Sequence, residues 1–290
     1  EYIISSYWKD QLNNKIDINL INAKILTFNG VAFNQLIENF PTHCQNKNNI
    51  EVKGWIANKV LAGRRNESRI ITVKTVKGDI KTLDIDKLTL RKDSTLLSYK
   101  IIDDIGIIRI NNSLSERKTK RAFKKALNDL KDTNGILLDL RNTVDGGSTN
   151  IANPIVGHFT AKKQPFQKYK NSKTEFVDHI KPIDPKYDKP LIVLVGRWTG
   201  SMGEGMASGI DGSGIGKVIG TEMQKLAGAT KDYNFTYLTY KYQAPYIEVL
   251  QISGLPREKF VPKVEVICDD SNEDEFLKEG IRMIKQLTSH

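Results

Sequence analysis

The sequence predicts an α/β chain, with a layered core of strands and helices preceded by a smaller, mostly-β unit. Three observations carry that prediction. Between about residues 100 and 220, strand patterns alternate with helix patterns, as a sheet joined by short crossovers requires. Within that stretch, residues 135–140 and 190–195 are almost continuously apolar, the mark of strands covered on both faces. Residues 1–92 instead show short alternating strands punctuated by turns.

A length of 290 residues suits two domains, and the change of pattern places them at 1–92 and 93–290. In the first, an alternating strand over 23–28 runs into an Asn29-Gly30 turn. One short helix fits 33–40, and strands over 69–74 and 80–85 flank a Lys77-Gly78-Asp79 turn. In the second, strands are expected at 105–110, 135–140, 190–195 and 217–220, with helices at 116–130, 151–159 and 201–210. The Lys-rich stretch 161–189 reads as a polar loop insertion. Residues 235–242 and 246–250 suggest a late hairpin, and 272–287 a closing helix.

Composition narrows the function classes. Lys and Arg number 44 against 34 Asp and Glu, a formal charge of +10 that invites a nucleic-acid reading. The densest basic cluster, Arg117 to Lys125, is interleaved with Ala122, Phe123 and Leu127 at helical spacing, however, and so reads as the solvated face of a surface helix. No nucleic-acid partner is expected. No run of 18 apolar residues is present, so no membrane-spanning helix is expected either. Cys44 and Cys268 stand far apart and match neither a zinc site nor a disulfide scaffold. His43, His158, His179 and His290 offer few ligands, so no metal or organic cofactor is expected. The chain starts at Glu1 without Met or an apolar leader, so an export signal is expected to have been removed or left out.

Two glycine-rich turns carry the chemistry. Residues 193–205 run from a buried strand through Thr199-Gly200-Ser201-Met202-Gly203-Glu204 into a helix. Small neighbours leave the Ser201 hydroxyl open to a substrate, and the free N–H groups of a helix start can receive a developing oxyanion. The plainer reading makes Ser201 only an N-cap and Glu204 only a first-turn carboxylate. The second turn, Asp139-Leu140-Arg141-Asn142-Thr143-Val144-Asp145-Gly146-Gly147-Ser148, also leaves a buried strand and enters a helix. On neighbouring parallel strands the two turns would lie side by side.

Together these segments resemble the S41 serine peptidases, which include the C-terminal processing and tricorn-like proteases. Asp139 to Asn142 with Gly146-Gly147 is similar to the family's D-x-R-x-N-x-G-G segment. Thr199 to Glu204 is similar to its T-A-S-x-x-E segment, with Gly200 in place of Ala. The resemblance spans roughly 100–270 and implies a crotonase-like (ClpP/crotonase) core. Ser201 would be the nucleophile, and the N–H groups of Gly146 or Gly147 and of Met202 the oxyanion hole. In C-terminal processing members the base is a Lys 25 residues after the serine. Here Leu226 holds that offset and Lys225 stands one residue earlier, which makes Lys225 the alternative base. The tricorn-like branch implies Glu258 as the residue orienting a His that would lie upstream of this chain. His158 and His179 read as surface residues. Glu204 could order the site.

Lys24 to Val31 resembles the turn of a PDZ-like domain, which accepts a peptide on a strand edge. The resemblance therefore implies a serine endopeptidase acting on peptides or unfolded proteins in an extracytoplasmic setting, and it is compatible with a homo-oligomer. A catalytically inactive, peptide-binding relative is the alternative. An acyl-CoA enzyme of crotonase type is a third reading that rests on fold analogy alone.

Overall fold

In a computed structural model the described residues are 1–5, 7, 11–13, 16, 19–42, 46–237, 239–266 and 274–289. Cys44, Cys268, His43 and His290 lie outside them. The chain forms two compact units, Glu1–Lys92 and Asp93–His290.

The first unit is built on strands β1 (Lys24–Phe28), β2 (Val31–Ala32), β3 (Ile70–Lys74) and β4 (Ile80–Asp84), in the order β2-β1-β3-β4. All its pairings are antiparallel. Asn29 and Gly30 turn β1 into β2 at φ 49° and 79°, the left-handed values an Asn-Gly pair tolerates. Helix α1 (Phe33–Asn39) buries Phe33 and Ile37 against Ile25, Phe28 and Val73. A second helix, α2 (Ile50–Ala62), corrects the mostly-β expectation. Asn49 caps it by accepting the Glu51 N–H at 2.8 Å. Its apolar pattern is blurred because Ile50 and Trp55 are exposed while Ile56 is fully buried.

The second unit centres on a six-stranded sheet ordered β14-β11-β10-β7-β6-β5. Its members are β5 (Leu97–Ile102), β6 (Ile105–Ile110), β7 (Ile136–Asp139), β10 (Leu191–Val195), β11 (Lys217–Gly220) and β14 (Val264–Glu265). Only β5 runs antiparallel. Alternation within the continuous apolar runs decides what covers each face. Leu138, Val193 and Val195 face helices α3 (Lys118–Asp129), α4 (Thr149–Gly157) and α5 (Met202–Ser213), packing with Phe123, Ile155, Met206 and Ala207. Leu137, Ile192 and Leu194 face α6 (Glu275–Thr288) through Met283 and Ile284. Cover on both sides favours apolar residues along the whole strand, and β7 and β10 are fully buried, with the one polar residue, Asp139 at the end of β7, paired with Arg141. On α3 the basic residues Lys118, Lys120, Arg121, Lys124 and Lys125 are all exposed while Phe123, Ala126 and Leu127 are buried.

A second sheet, ordered β12-β13-β8-β9, lies beside α5. It corrects the loop expected at 161–189, because β8 (Gln164–Lys170) and β9 (Glu175–Ile180) form a hairpin. Phe166 and Tyr169 are buried and the Asn171 side chain orders the turn by accepting the N–H groups of Lys173 and Thr174. The late hairpin is shifted from the expected bounds. Strand β12 (Ala229–Asn234) pairs with β13 (Lys241–Leu250). Among the described residues no helix is long and apolar enough to cross a membrane.

His158 was expected at the surface and is buried instead. Its Nδ1 lies 2.8 Å from the Pro185 carbonyl and 3.2 Å from that of Ile183, and its ring stacks on Phe123. Two carbonyl neighbours require Nδ1 to carry the proton. His179 is half-buried on β9, with Nδ1 3.1 Å from the Val177 carbonyl.

Candidate active site

Strands β7 and β10 are hydrogen-bonded neighbours running the same way, so the turns that follow them emerge at the same edge of the sheet. This places Gly146 against Ser201. A Cβ built on Gly146 would lie 2.4 Å from Ser201 Cβ, 3.0 Å from Ser201 Oγ and 2.9 Å from Met202 N. Gly146 also has φ +70°, so both its conformation and its surroundings require glycine.

Ser201 is half-buried and opens α5 from an unusual backbone conformation, φ 45° and ψ −104°. The turn that presents it is tied from several sides. Thr199 is fully buried, and its hydroxyl donates to the Leu140 carbonyl at 3.0 Å and accepts the Gly196 N–H at 3.0 Å. The Gly200 N–H donates to the Thr143 carbonyl at 3.1 Å. Gly200, where S41 peptidases carry Ala, also has a local cause. A Cβ there would stand 2.4 Å from the Val144 carbonyl oxygen and 2.6 Å from Gln224 Nε2. That amide donates to the Val144 carbonyl at 3.0 Å, so Gln224 occupies the space an alanine methyl would need.

The three residues named for the oxyanion hole are not equivalent. Gly146 donates its N–H to the Thr143 carbonyl at 3.1 Å, which closes its own turn. Gly147 is exposed and Met202 is the first residue of α5, where backbone N–H groups have no partner within the helix.

Glu204 is fully buried beneath this turn. One of its oxygens accepts the Ser201 N–H at 2.7 Å, and the other accepts the Lys225 N–H at 2.7 Å. The Leu226 N–H lies 3.3 Å from both. Burial pushes its carboxyl above the usual range, against the opposing pull of Arg257 and these N–H groups. Lys225 therefore meets the site through its main chain. Its ammonium is paired with Glu222 at 2.7 Å, and both side chains are about half exposed.

Glu258 lies in a single 3-10 turn, Arg257–Lys259, and is half-buried. Its neighbour Arg257, which the sequence did not single out, is buried and donates to the carbonyls of Leu226 and Gly228, each at 2.6 Å. Its partners lie about 30 residues away along the chain, so no local pattern signals this role. Asp139 and Arg141, from the second glycine-rich turn, form an ion-pair network. The Arg141 guanidinium forks onto Asp139 and onto Asp274 at 2.8 to 2.9 Å, joining the end of β7 to the start of α6. Among the described residues no group of three or more His, Cys, Asp or Glu is arranged to hold a metal ion.

The family model of peptidase family S41 matches residues 104–244. A carboxyl-terminal-processing protease from Picosynechococcus sp. is 24% identical over 214 residues, covering 70% of this chain and 51% of the relative. The chain thus spans about half the length of that curated relative. Among solved structures, the photosystem II D1 C-terminal processing protease aligns with 92% of this chain and 68% of its own, at a TM-score of 0.59 and 16% identity. Mature CPAF aligns with 94% of this chain and 77% of its own, at 0.62 and 11%. A peptidase structure from Parabacteroides merdae aligns with 67% of this chain and 65% of its own, at 0.58 and 16%. At such identities these structures share the fold.

Proposed function

Because its core, residues 104–244, belongs to peptidase family S41, we propose that this chain carries the nucleophilic centre of a serine peptidase, with Ser201 as the attacking residue. The observation that carries the proposal is the packing of Gly146 directly against Ser201, which puts a second glycine turn beside the nucleophile. Ser201 Oγ adds to a peptide carbonyl carbon as its proton passes to the base. The oxyanion is received by the N–H groups of Gly147 and Met202. Collapse, as the base passes that proton to the departing nitrogen, expels the amine and leaves an acyl ester, which water then hydrolyses.

A serine hydroxyl is a poor nucleophile without a base. The pairing of the Lys225 ammonium with Glu222 favours the tricorn-like arrangement, in which Glu258 orients a histidine from an upstream segment. Lys225 remains the alternative base. The core is read as crotonase-like, on the strength of its mostly parallel sheet covered by helices on both faces. The unit 1–92 is read as a PDZ-like module that selects extended peptides, and an extracytoplasmic setting accompanies this class of peptidase.

The test is mass spectrometry of a peptide library incubated with the full-length protein and with its Ser201→Ala variant. Cleavage by the wild type alone supports the proposal. Cleavage that survives the substitution overturns Ser201, and binding without cleavage by either protein assigns the chain to the peptide-binding reading.

A further inference from the structure

Among the described residues, seven that are not glycine have positive φ: Asn22, Asn29, Asp103, Asp104, Asn112, Ser201 and Lys225. Asn and Asp adopt such conformations readily, because their short polar side chains bond the local backbone. Ser201 and Lys225 are the two that are neither, at φ 45° and 62°. Both donate their N–H to the same side chain, Glu204, at 2.7 Å. Backbone strain of this kind persists only where its surroundings hold it.

We propose that Glu204 is the positioning residue of this site, its buried carboxylate holding the Ser201 turn and the 225–226 main chain in the conformations that aim the serine. Arg257 adds to the brace by donating to the Leu226 and Gly228 carbonyls. A carboxylate accepts at both oxygens, whereas a carboxamide must turn its NH2 toward one of the N–H groups, and a carboxylic acid accepts more weakly at its hydroxyl oxygen. The brace is therefore strongest in the ionised form. The charged and titratable groups around it are Arg257, with Glu258 and Tyr169 beside that guanidinium, and the Lys225–Glu222 pair at the surface. This proposal deepens the serine-peptidase reading and rests on it for the consequence to catalysis, although the brace itself can be read without activity.

The experiment measures amide hydrogen exchange and fluorophosphonate labelling of Ser201 in the full-length protein, wild type against Glu204→Gln. The expected result is loss of protection at Ser201, Lys225 and Leu226 by about tenfold or more, with the rest of the unit unchanged. Labelling should slow on the order of a hundredfold, as displacement of a nucleophile by an ångström would cause. Unchanged protection at those three amides overturns the proposal, as does an even loss across the whole unit. Release of the three amides with no labelling of either protein supports the brace and sinks the peptidase reading. If Glu204→Gln does not fold, the wild type carries the test. Protection of the three amides must then fall together between about pH 7 and pH 4 while that of Val193 holds, and a uniform response overturns the brace.

Discussion

Gly146 and Ser201 pack so closely that a methyl group on the glycine would overlap the serine Cβ at 2.4 Å. The contact joins two turns 55 positions apart in sequence, and it exists because β7 and β10 are adjacent and parallel. The Gly146→Ala variant is accordingly expected to lose about 2–4 kcal/mol of stability, from overpacking combined with an unfavourable φ. Denaturant unfolding checks the stability, and Ser201 labelling is expected to be abolished in the fraction that remains folded.

Arg141 should act on stability and leave the chemistry alone. Arg141→Ala strands Asp139, which is buried, and frees the first turn of α6, at a cost of about 2–3 kcal/mol. Arg141→Lys should recover less than half of that loss, because an ammonium cannot fork onto two carboxylates. Urea unfolding gives the magnitude, and faster amide exchange at residues 277–279 would show where the structure loosens.

His158 sets a pH limb. Burial holds its imidazole below the usual range against the pull of the Pro185 and Ile183 carbonyls, with Lys124 adding to the depression and Asp184 opposing it. The unfolded chain therefore binds this proton at a higher pH than the folded chain does. Stability is fully present above the unfolded value of about 6.5 and falls as the pH drops through the lower folded value. The difference in unfolding free energy between wild type and His158→Gln, followed from about pH 8 to pH 4.5, should shrink toward acid. A constant difference would contradict the buried neutral imidazole.

These residues also show how much of the protein its sequence discloses. The runs Ile136 to Leu140 and Leu191 to Val195 are legible because burial on both faces favours apolar side chains throughout, the one exception, Asp139, being paired with Arg141. The Ser201 and Gly146 turns are legible because glycine is forced there by space and by φ. The β8–β9 hairpin is masked by its composition. Gln167 sits among its buried residues because its amide donates to the Gly205 carbonyl of α5, a partner 38 positions away. Helix α2 is masked by exposed Ile50 and Trp55. His158 and Arg257 both owe their burial to main-chain carbonyls brought to them by the tertiary fold, and neither has a neighbour in sequence that signals it.

Gln224 offers a test of why this chain departs from Ala before its serine. Gly200→Ala alone should slow Ser201 labelling and cost about 1–3 kcal/mol, since the methyl meets both the Val144 carbonyl and the Gln224 amide. Pairing it with Gln224→Ala clears the side chain and leaves the carbonyl in place. A double-mutant cycle should therefore show partial rescue, and strict additivity would rule out the proposed contact.

The central claim is that Ser201 is an activated nucleophile. Its most direct test is the mass of the full-length protein after reaction with a fluorophosphonate, followed by peptide mapping. One adduct, located on Ser201 and missing from Ser201→Ala, is the predicted result. An unmodified wild-type protein, or an adduct that persists in Ser201→Ala, would contradict it.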